Sequence, residues 1–370
     1  MPHPRTILIA AGASGGHLFP ALAVAEELRA QGATCIFVVG GTKFAEKVTE
    51  AGFVLERLPA SAFNVANPMR KLKALLNVGR GFVQALRLLG RYQPSAVFAT
   101  GGYASVALVL AAKVFGVPVV LHEGNVLPGR ATKLLCRLAD TMLLTFAGAH
   151  KHLPCAKAVV QVTGNPIRSA MVQGLGLKRK DDKTLTLLIT GGSQGSAILS
   201  EVIPQAIARL EPKLLKRLRI HHQARAADVP ACEALYKTLP LASFTVEPFI
   251  ANMAQALTQA HVVLARAGTS TVVETALFGR AAIYIPLELA DGHQMLNAQV
   301  AEEAGAAIII PQGMFSAETL LPHLTNLLTD QAHRTHMEDN ARALFNPHAA
   351  HTVAEIVLDT AKKDLMTQAH

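Results

Sequence analysis

The chain contains no tryptophan, and aromatic residues of any kind make up only 5% of its 370 positions. Proteins that read single-stranded nucleic acid stack its bases on aromatic side chains, and no aromatic-interleaved basic patch is present, so no nucleic-acid partner is expected. Four cysteines, Cys35, Cys136, Cys155 and Cys232, occur without CxxC spacing. They read as reduced, mostly core thiols of a cytoplasmic chain rather than a zinc site or disulfide framework. The pairs His150/His152, His221/His222 and His348/His351 have no carboxylate or cysteine to complete a ligand set, so neither metal nor cofactor is expected. The most apolar stretch, Ala104 to Leu121, is broken by Lys113, Gly116 and Pro118, short of the ~20 residues a membrane span needs. The N-terminus lacks the basic-then-apolar layout of a secretory signal. Low-complexity segments and short-period repeats are likewise missing.

What is there is apolar and basic. Hydrophobic residues are 51% and charged residues 16% of the chain, the balance of a well-buried globular protein. A length of 370 residues favours two domains. The net charge of +9 calls for an anionic partner, either a phosphorylated substrate or an anionic membrane surface.

Two glycine-rich turns occupy matching places in the two halves: Gly12-Ala13-Ser14-Gly15-Gly16-His17 and Gly191-Gly192-Ser193-Gln194-Gly195-Ser196. Each follows a β-branched apolar run and opens a helical pattern. Such a turn presents unpaired backbone N–H groups and the positive end of a helix dipole, which suits phosphate. Strands are expected at Thr6 to Ala11, Cys35 to Val39, Val54 to Leu58, Ala96 to Ala99, Val117 to Leu121, Thr141 to Leu144 and Val159 to Val162. A second set follows at Leu185 to Thr190, Arg219 to His222, Phe244 to Val246, Val262 to Ala265, Ala282 to Ile285 and Ala307 to Ile310. Alternation with helix-length segments predicts α/β architecture, two Rossmann-like, doubly wound parallel sheets. Gly164-Asn165-Pro166 marks the hinge, giving domains at 1–165 and 166–345, with a separate helix over 346–370.

Neither turn is a dinucleotide fingerprint, because the spacing is G-x-x-G-G and the second strand ends in Val39-Gly40-Gly41 without the ribose-binding carboxylate. Neither ends in Gly-Lys-Ser/Thr, so neither is a Walker A loop.

A wider set of motifs carries a family resemblance: Ser14-Gly15-Gly16-His17, Gly101-Gly102-Tyr103, His122-Glu123-x-Asn125, Gly164-Asn165-Pro166-x-Arg168, Gly191-Gly192-Ser193-Gln194-Gly195, Arg266-x-Gly268 through Glu274, and His293-Gln294-x-x-Asn297-Ala298. In order and spacing, over nearly the whole chain, this set resembles the MurG family of peptidoglycan N-acetylglucosaminyltransferases. The resemblance implies the GT-B fold, two domains facing a cleft, with the C-terminal helix returning to the N-terminal domain. It implies inverting transfer of N-acetylglucosamine from UDP-N-acetylglucosamine (UDP-GlcNAc) to the 4-hydroxyl of the muramoyl sugar in lipid I, the undecaprenyl-diphosphate-linked intermediate, giving lipid II at the cytoplasmic face of the inner membrane.

The residue chemistry agrees. With no metal expected, a departing diphosphate needs helix N-termini and backbone N–H groups. The Ser193 to Ser196 and Thr269-Ser270-Thr271 turns supply them. The resemblance places Ser193 and the segment Thr269, Ser270, Thr271, Val272 and Val273 near the diphosphate, Glu274 on the ribose and Ile250 at the uracil. Asn125 and Gln294 can donate and accept, which suits sugar hydroxyls and the acetamido group. Arg168 fits either donor phosphate or a domain-closing carboxylate. His17, beside Ser14, Gly15 and Gly16 of the acceptor turn, is either the general base or a donor that orients acceptor phosphate.

The chain departs from the commoner family pattern at Ala13, Gly124, Ser105-Val106-Ala107 and Ala224-Arg225. The segment Met69 to Arg91 interleaves six basic residues with leucine, valine and phenylalanine, so it reads either as a membrane-resting helix or as an ordinary sheet-covering one. A UDP-GlcNAc epimerase and a non-catalytic UDP-sugar binder are the alternative functions.

Overall fold

The computed structural model describes residues 5–12, 14–41, 45–59, 68–154, 158–177, 179, 183–192, 195–288 and 292–367, with backbone only at 68–76, 78, 103 and 363–367. Ser193, Ala13 and Cys155, together with the side chains of Arg70, Lys71 and Lys73, therefore lie outside the described residues. The chain divides into two compact units, Met1–Ser169 with Asn346–His370, and Ala170–Phe345.

The first unit contains seven parallel strands, β1 (Thr6–Ala11), β2 (Thr34–Val39), β3 (Val54–Arg57), β4 (Ala96–Ala99), β5 (Val119–Glu123), β6 (Thr141–Leu144) and β7 (Val159–Val162), in the order β3-β2-β1-β4-β5-β6-β7. The second contains β8 (Leu185–Thr190), β9 (Leu218–Gln223), β10 (Ser243–Glu247), β11 (Val262–Ala265), β12 (Ala281–Tyr284) and β13 (Ala307–Ile309), in the order β10-β9-β8-β11-β12-β13. The winding direction reverses between β1 and β4 in one sheet and between β8 and β11 in the other. Ligands of open parallel sheets bind in the crevice at such a switch point, beyond the strands' carboxyl ends. Both glycine turns leave from strands that border these crevices.

The central strands are continuous apolar runs because helices cover both sheet faces. In β1, Leu8 and Ala10 face a cluster with Val106, Val109, Leu88 and Leu89 from helices Tyr103–Val114 and Pro68–Tyr92. The alternate residues Ile7, Ile9 and Ala11 face helix Gly15–Ala30. On that side, helix Ala349–Thr367 adds Val353, Ala354, Val357, Leu358 and Ala361, a helical stripe packed against the same cluster.

The fifth strand begins two residues later than the expected Val117. Pro118 has no N–H to give a ladder, and regular pairing starts where Val97 faces Val119. The Val119 N–H donates to Asp140 Oδ2 at 2.7 Å. This shift draws His122 and Glu123 into the sheet, where both are buried.

Candidate active site

In the first unit, the turn after β1 and the turn after β4 approach until only glycine fits at either side. A Cβ on Gly102, where φ is +89°, would lie 2.6 Å from Gly12 Cα. One on Gly12 would lie 2.4 Å from His17 Nδ1. His17, in the first turn of helix Gly15–Ala30, is held from several sides. Its Nδ1 lies 3.1 Å from Ser14 Oγ, and its carbonyl accepts a 2.9 Å bond from Thr100 Oγ1. A Cβ on Gly101 would lie 3.4 Å from His17 Nε2 and 3.5 Å from Thr132 Oγ1, so the ring, the glycine turn and Thr132 converge.

The His17 ring keeps part of its surface open, yet enough protein surrounds it that burial pushes its pKa below the ordinary histidine value, opposed by the Glu123 carboxylate. Glu123 is fixed by hydrogen bonds from the loop that follows it: Oε1 accepts from Asn125 N (2.9 Å) and Asn125 Nδ2 (3.2 Å), and Oε2 from Gly129 N (3.2 Å). Asn125 thus spends one amide hydrogen on the loop that Glu123 organises. His122, likewise lowered by burial, places Nε2 3.2 Å from the Gly164 carbonyl.

Ser14 is exposed, Gly15 is buried, and Gly16 opens into space, with nothing within 4 Å of a Cβ built there. Arg168 stacks 4.7 Å above the Phe19 ring, and that ring abuts Gly15, 3.2 Å from where its Cβ would stand. Arg168 is therefore tied to the first glycine turn within its own unit.

In the second unit, Gly191 and Gly195 close the turn after β8 so tightly that a Cβ on Gly191 would fall 2.4 Å from the Gly195 carbonyl carbon. Thr190 and Gln223 anchor it: Thr190 Oγ1 donates to Gln223 Oε1 (2.6 Å) and accepts from Gly192 N (3.2 Å), while Gln223 Nε2 donates to Gly192 O (2.8 Å). Buried Arg266, directly after β11, donates from Nε to Ser196 Oγ (3.2 Å) and from Nη1 to Ile285 O (3.0 Å). It ties the glycine turn to the end of β12.

Helix Thr269–Leu277 begins at Gly268 across the same crevice. Its first N–H groups, at Thr269, Ser270 and Thr271, have no carbonyl four residues back within the helix. Val272 and Val273 differ from them: both side chains are fully buried, and the Val272 N–H donates to Gly268 O at 3.0 Å. Core packing is what their side chains supply. Glu274 lies half-buried on this helix, and Ile250 is buried between β10 and helix Met253–Gln259. Gln294 Oε1 accepts from Ala267 N (3.2 Å) and Leu287 N (2.9 Å). With the carbonyl so occupied, the amide group can serve a ligand only as donor. Buried Asn297 donates to Ala267 O (3.4 Å) and Thr269 Oγ1 (3.3 Å), bracing the same turn.

Two family models match the chain, the glycosyltransferase family 28 N-terminal domain over residues 7–144 and the family 28 C-terminal domain over 186–355. The chain is 38% identical over 363 residues to a UDP-N-acetylglucosamine–N-acetylmuramyl-(pentapeptide) pyrophosphoryl-undecaprenol N-acetylglucosamine transferase of Methylobacterium nodulans, covering 96% of each. It is 37% identical to the protein of that name from Rhodospirillum centenum, covering 96% of this chain and 94% of the relative. The crystal structure of Acinetobacter baumannii MurG superposes with a TM-score of 0.78 at 31% identity, over 96% of this chain and all of that one. The chain belongs to the MurG family. Its two parallel-sheet α/β units are those of the GT-B-like glycosyltransferase fold, and the family's members are UDP-sugar hexosyltransferases.

Motif spacing alone assigns no role to Glu123, Thr132 or Arg266. Their positions depend on strands far apart in sequence, so only the sheet order brings Glu123 and Thr132 toward His17 and Arg266 to Ser196. An ionisable residue set among apolar and small residues of a family motif is the sequence signal that points to Glu123 and Arg266.

Proposed function

We propose that this chain transfers N-acetylglucosamine from UDP-GlcNAc to lipid I, forming lipid II for peptidoglycan synthesis. The observation that carries this reading is identity of 37–38% along nearly the full length with relatives named for that reaction. The acceptor's 4-hydroxyl oxygen attacks the anomeric carbon from the face opposite UDP, its proton passes to His17, and the bond to the diphosphate oxygen breaks, inverting the configuration. A ring kept neutral by burial is in the form that accepts a proton near pH 7. In the second unit, helices Ala197–Ala208 and Thr269–Leu277, entered from the Gly191–Ser196 turn and from Gly268, offer their first N–H groups and their dipoles to the leaving diphosphate. Ser193, in the sequence motif that leads into the first of these helices, bonds the diphosphate, Glu274 takes the ribose hydroxyls, the backbone near Ile250 takes uracil, and Gln294 donates to the sugar. Arg168 pairs with donor phosphate, and Asn125 keeps a loop beside the sugar in register.

The acceptor is a lipid, and the protein works as a peripheral protein on the cytoplasmic face of the bacterial membrane. Among the described residues, no helix is long and apolar enough to cross a bilayer. Support for surface contact comes from exposed Val114 and Phe115 at the end of helix Tyr103–Val114, and from exposed Arg80, Arg87 and Arg91 on helix Pro68–Tyr92.

The decisive experiment measures UDP release from UDP-GlcNAc with and without a soluble lipid I analogue and weighs the sugar product. Acceptor-dependent release with one added N-acetylhexosamine is the expected result. Epimerised sugar nucleotide, or release indifferent to acceptor, would replace the transferase reading.

A further inference from the structure

The glycine turn after β8 lies between two arginines that differ in every physical respect. Arg266, 7% exposed, is locked on one side by Ser196 and Ile285. Arg225, two residues past the end of β9, stands on the other: a Cβ on Gly195 would meet Arg225 Cγ at 2.9 Å and Arg225 N at 3.0 Å. Gly195 has φ +68°, so the turn is shaped to let Arg225 lie against it.

The Arg225 side chain is 47% exposed and is held by a carboxylate instead of the core. Its Nε donates to Asp228 Oδ2 (2.6 Å) and its Nη2 to Asp228 Oδ1 (2.8 Å). Asp228 stands at the start of helix Val229–Lys237, and its N–H donates to the Arg225 carbonyl at 2.8 Å, so backbone and side chain form one closed loop. The hydrogen bond from Arg225 holds the Asp228 carboxyl below its usual range, and it stays ionised near neutral pH. A guanidinium has five N–H groups in a planar fork, and Asp228 uses two of them. The other three belong to a cation fixed in direction, half in solvent, beside the turn that leads into helix Ala197–Ala208, whose first N–H groups have no carbonyl four residues back within the helix and suit phosphate.

We propose that Arg225 is a donor-binding residue of this chain, its guanidinium bonding the diphosphate of the sugar nucleotide while Asp228 holds it in place and moderates its charge. This rests on the donor reading given above. Two consequences follow from the chemistry. Arg225 recognises charge on the phosphates, so it discriminates UDP from uridine and leaves the nucleobase contact alone. Because Asp228 accepts with both oxygens and so aims the fork, replacing one oxygen by an amide donor loosens the guanidinium and weakens its grip on diphosphate.

The test measures dissociation constants of UDP and uridine by calorimetry, at two salt concentrations, for the unaltered protein, Arg225→Gln and Asp228→Asn, with thermal melting of each variant. For Arg225→Gln, UDP binding is expected to weaken by about 10-fold with uridine changed less than about 2-fold, and the salt dependence of UDP binding to flatten. Asp228→Asn should weaken UDP binding by about 2- to 3-fold with uridine unchanged. Equal weakening of UDP and uridine, or no change in UDP for Arg225→Gln, would overturn the assignment. If the unaltered protein bound neither ligand, the donor reading itself would fall, a result separable from failure at Arg225.

Discussion

At Gly102 the backbone adopts a φ of +89° and the Cα of Gly12 leaves no room for a methyl group. An alanine there must accept an unfavourable dihedral and push two turns apart, and the second effect reaches the His17 ring through Gly12. Gly102→Ala is expected to cost about 1–3 kcal/mol of stability and to lower turnover more than tenfold in protein that still folds, read by thermal melting and by UDP release. Unchanged melting with full turnover would show that the turns separate freely. His17 itself is tested by His17→Ala: a loss in kcat of about 10²- to 10⁴-fold with UDP affinity nearly unchanged supports the base. Strongly weakened UDP binding with normal turnover would refute it. Because burial lowers the His17 pKa, the acid limb of the kcat/KM profile should fall below about pH 6.5. Glu123 raises that pKa, so Glu123→Gln removes a charge that favours imidazolium and should move the limb to still lower pH while reducing kcat. A limb moving upward would contradict the geometry.

At the scale of elements, two histidines couple packing to pH with opposite signs. His222 in β9 is wholly buried, with Nδ1 3.1 Å from Tyr236 Oη, and burial lowers its pKa to about 4. The unfolded chain takes up a proton near pH 6.5 that the folded chain refuses until about pH 4, so stability falls as pH drops through that window, by about 3 kcal/mol at most. His351 on helix Ala349–Thr367 is the reverse. Its Nδ1 lies 3.1 Å from Glu27 Oε2 on helix Gly15–Ala30 and its Nε2 3.4 Å from Glu355, and the Glu27 hydrogen bond raises its pKa. That contribution is present in full below about pH 6.5 and is lost as pH rises through the raised folded value; solvent exposure keeps it small. Melting temperature should therefore fall from pH 7 to pH 5. His222→Gln should flatten the fall, and His351→Ala should lower the melting point more at pH 6 than at pH 8. A flat profile for the unaltered protein would remove the His222 argument.

The same elements show what was legible in the sequence. The central strands β1, β4, β8 and β11 could be read almost to the residue, because a strand buried on both faces is a bare apolar run between turn residues. β5 could not, since Pro118 and buried His122-Glu123 disguise its ends. The glycine turns and His17 announce themselves by spacing. The contact of Gly12 with Gly102, the stack of Arg168 on Phe19 and the placement of Arg225 against Gly195 do not, because each joins segments that meet only after the sheets assemble.

For the molecule as a whole, the net charge of +9 has an uneven origin, for the helix Pro68–Tyr92 holds six basic residues and no acidic one. Over its second half the apolar residues Ala85, Leu88 and Leu89 are buried against the sheet, while Arg80, Arg87 and Arg91 face outward. That half covers the sheet as any amphipathic helix does, and its buried stripe is not free to enter lipid, although Val83 on the same half is exposed. On the proposed membrane reading, attraction through this second half is then mainly electrostatic, each surface arginine or lysine adding about 1 kcal/mol on an anionic bilayer. Such attraction needs anionic lipid and weakens with salt, unlike insertion of an apolar face. Arg70, Lys71 and Lys73 carry the densest charge, so reversing all three to glutamate is expected to weaken binding to vesicles of anionic lipid at least about tenfold, leaving weak binding to neutral vesicles unaltered. Co-sedimentation at low and high salt reads both terms. Binding to anionic vesicles that survived the triple reversal would move the membrane contact away from this helix, toward exposed Val114 and Phe115.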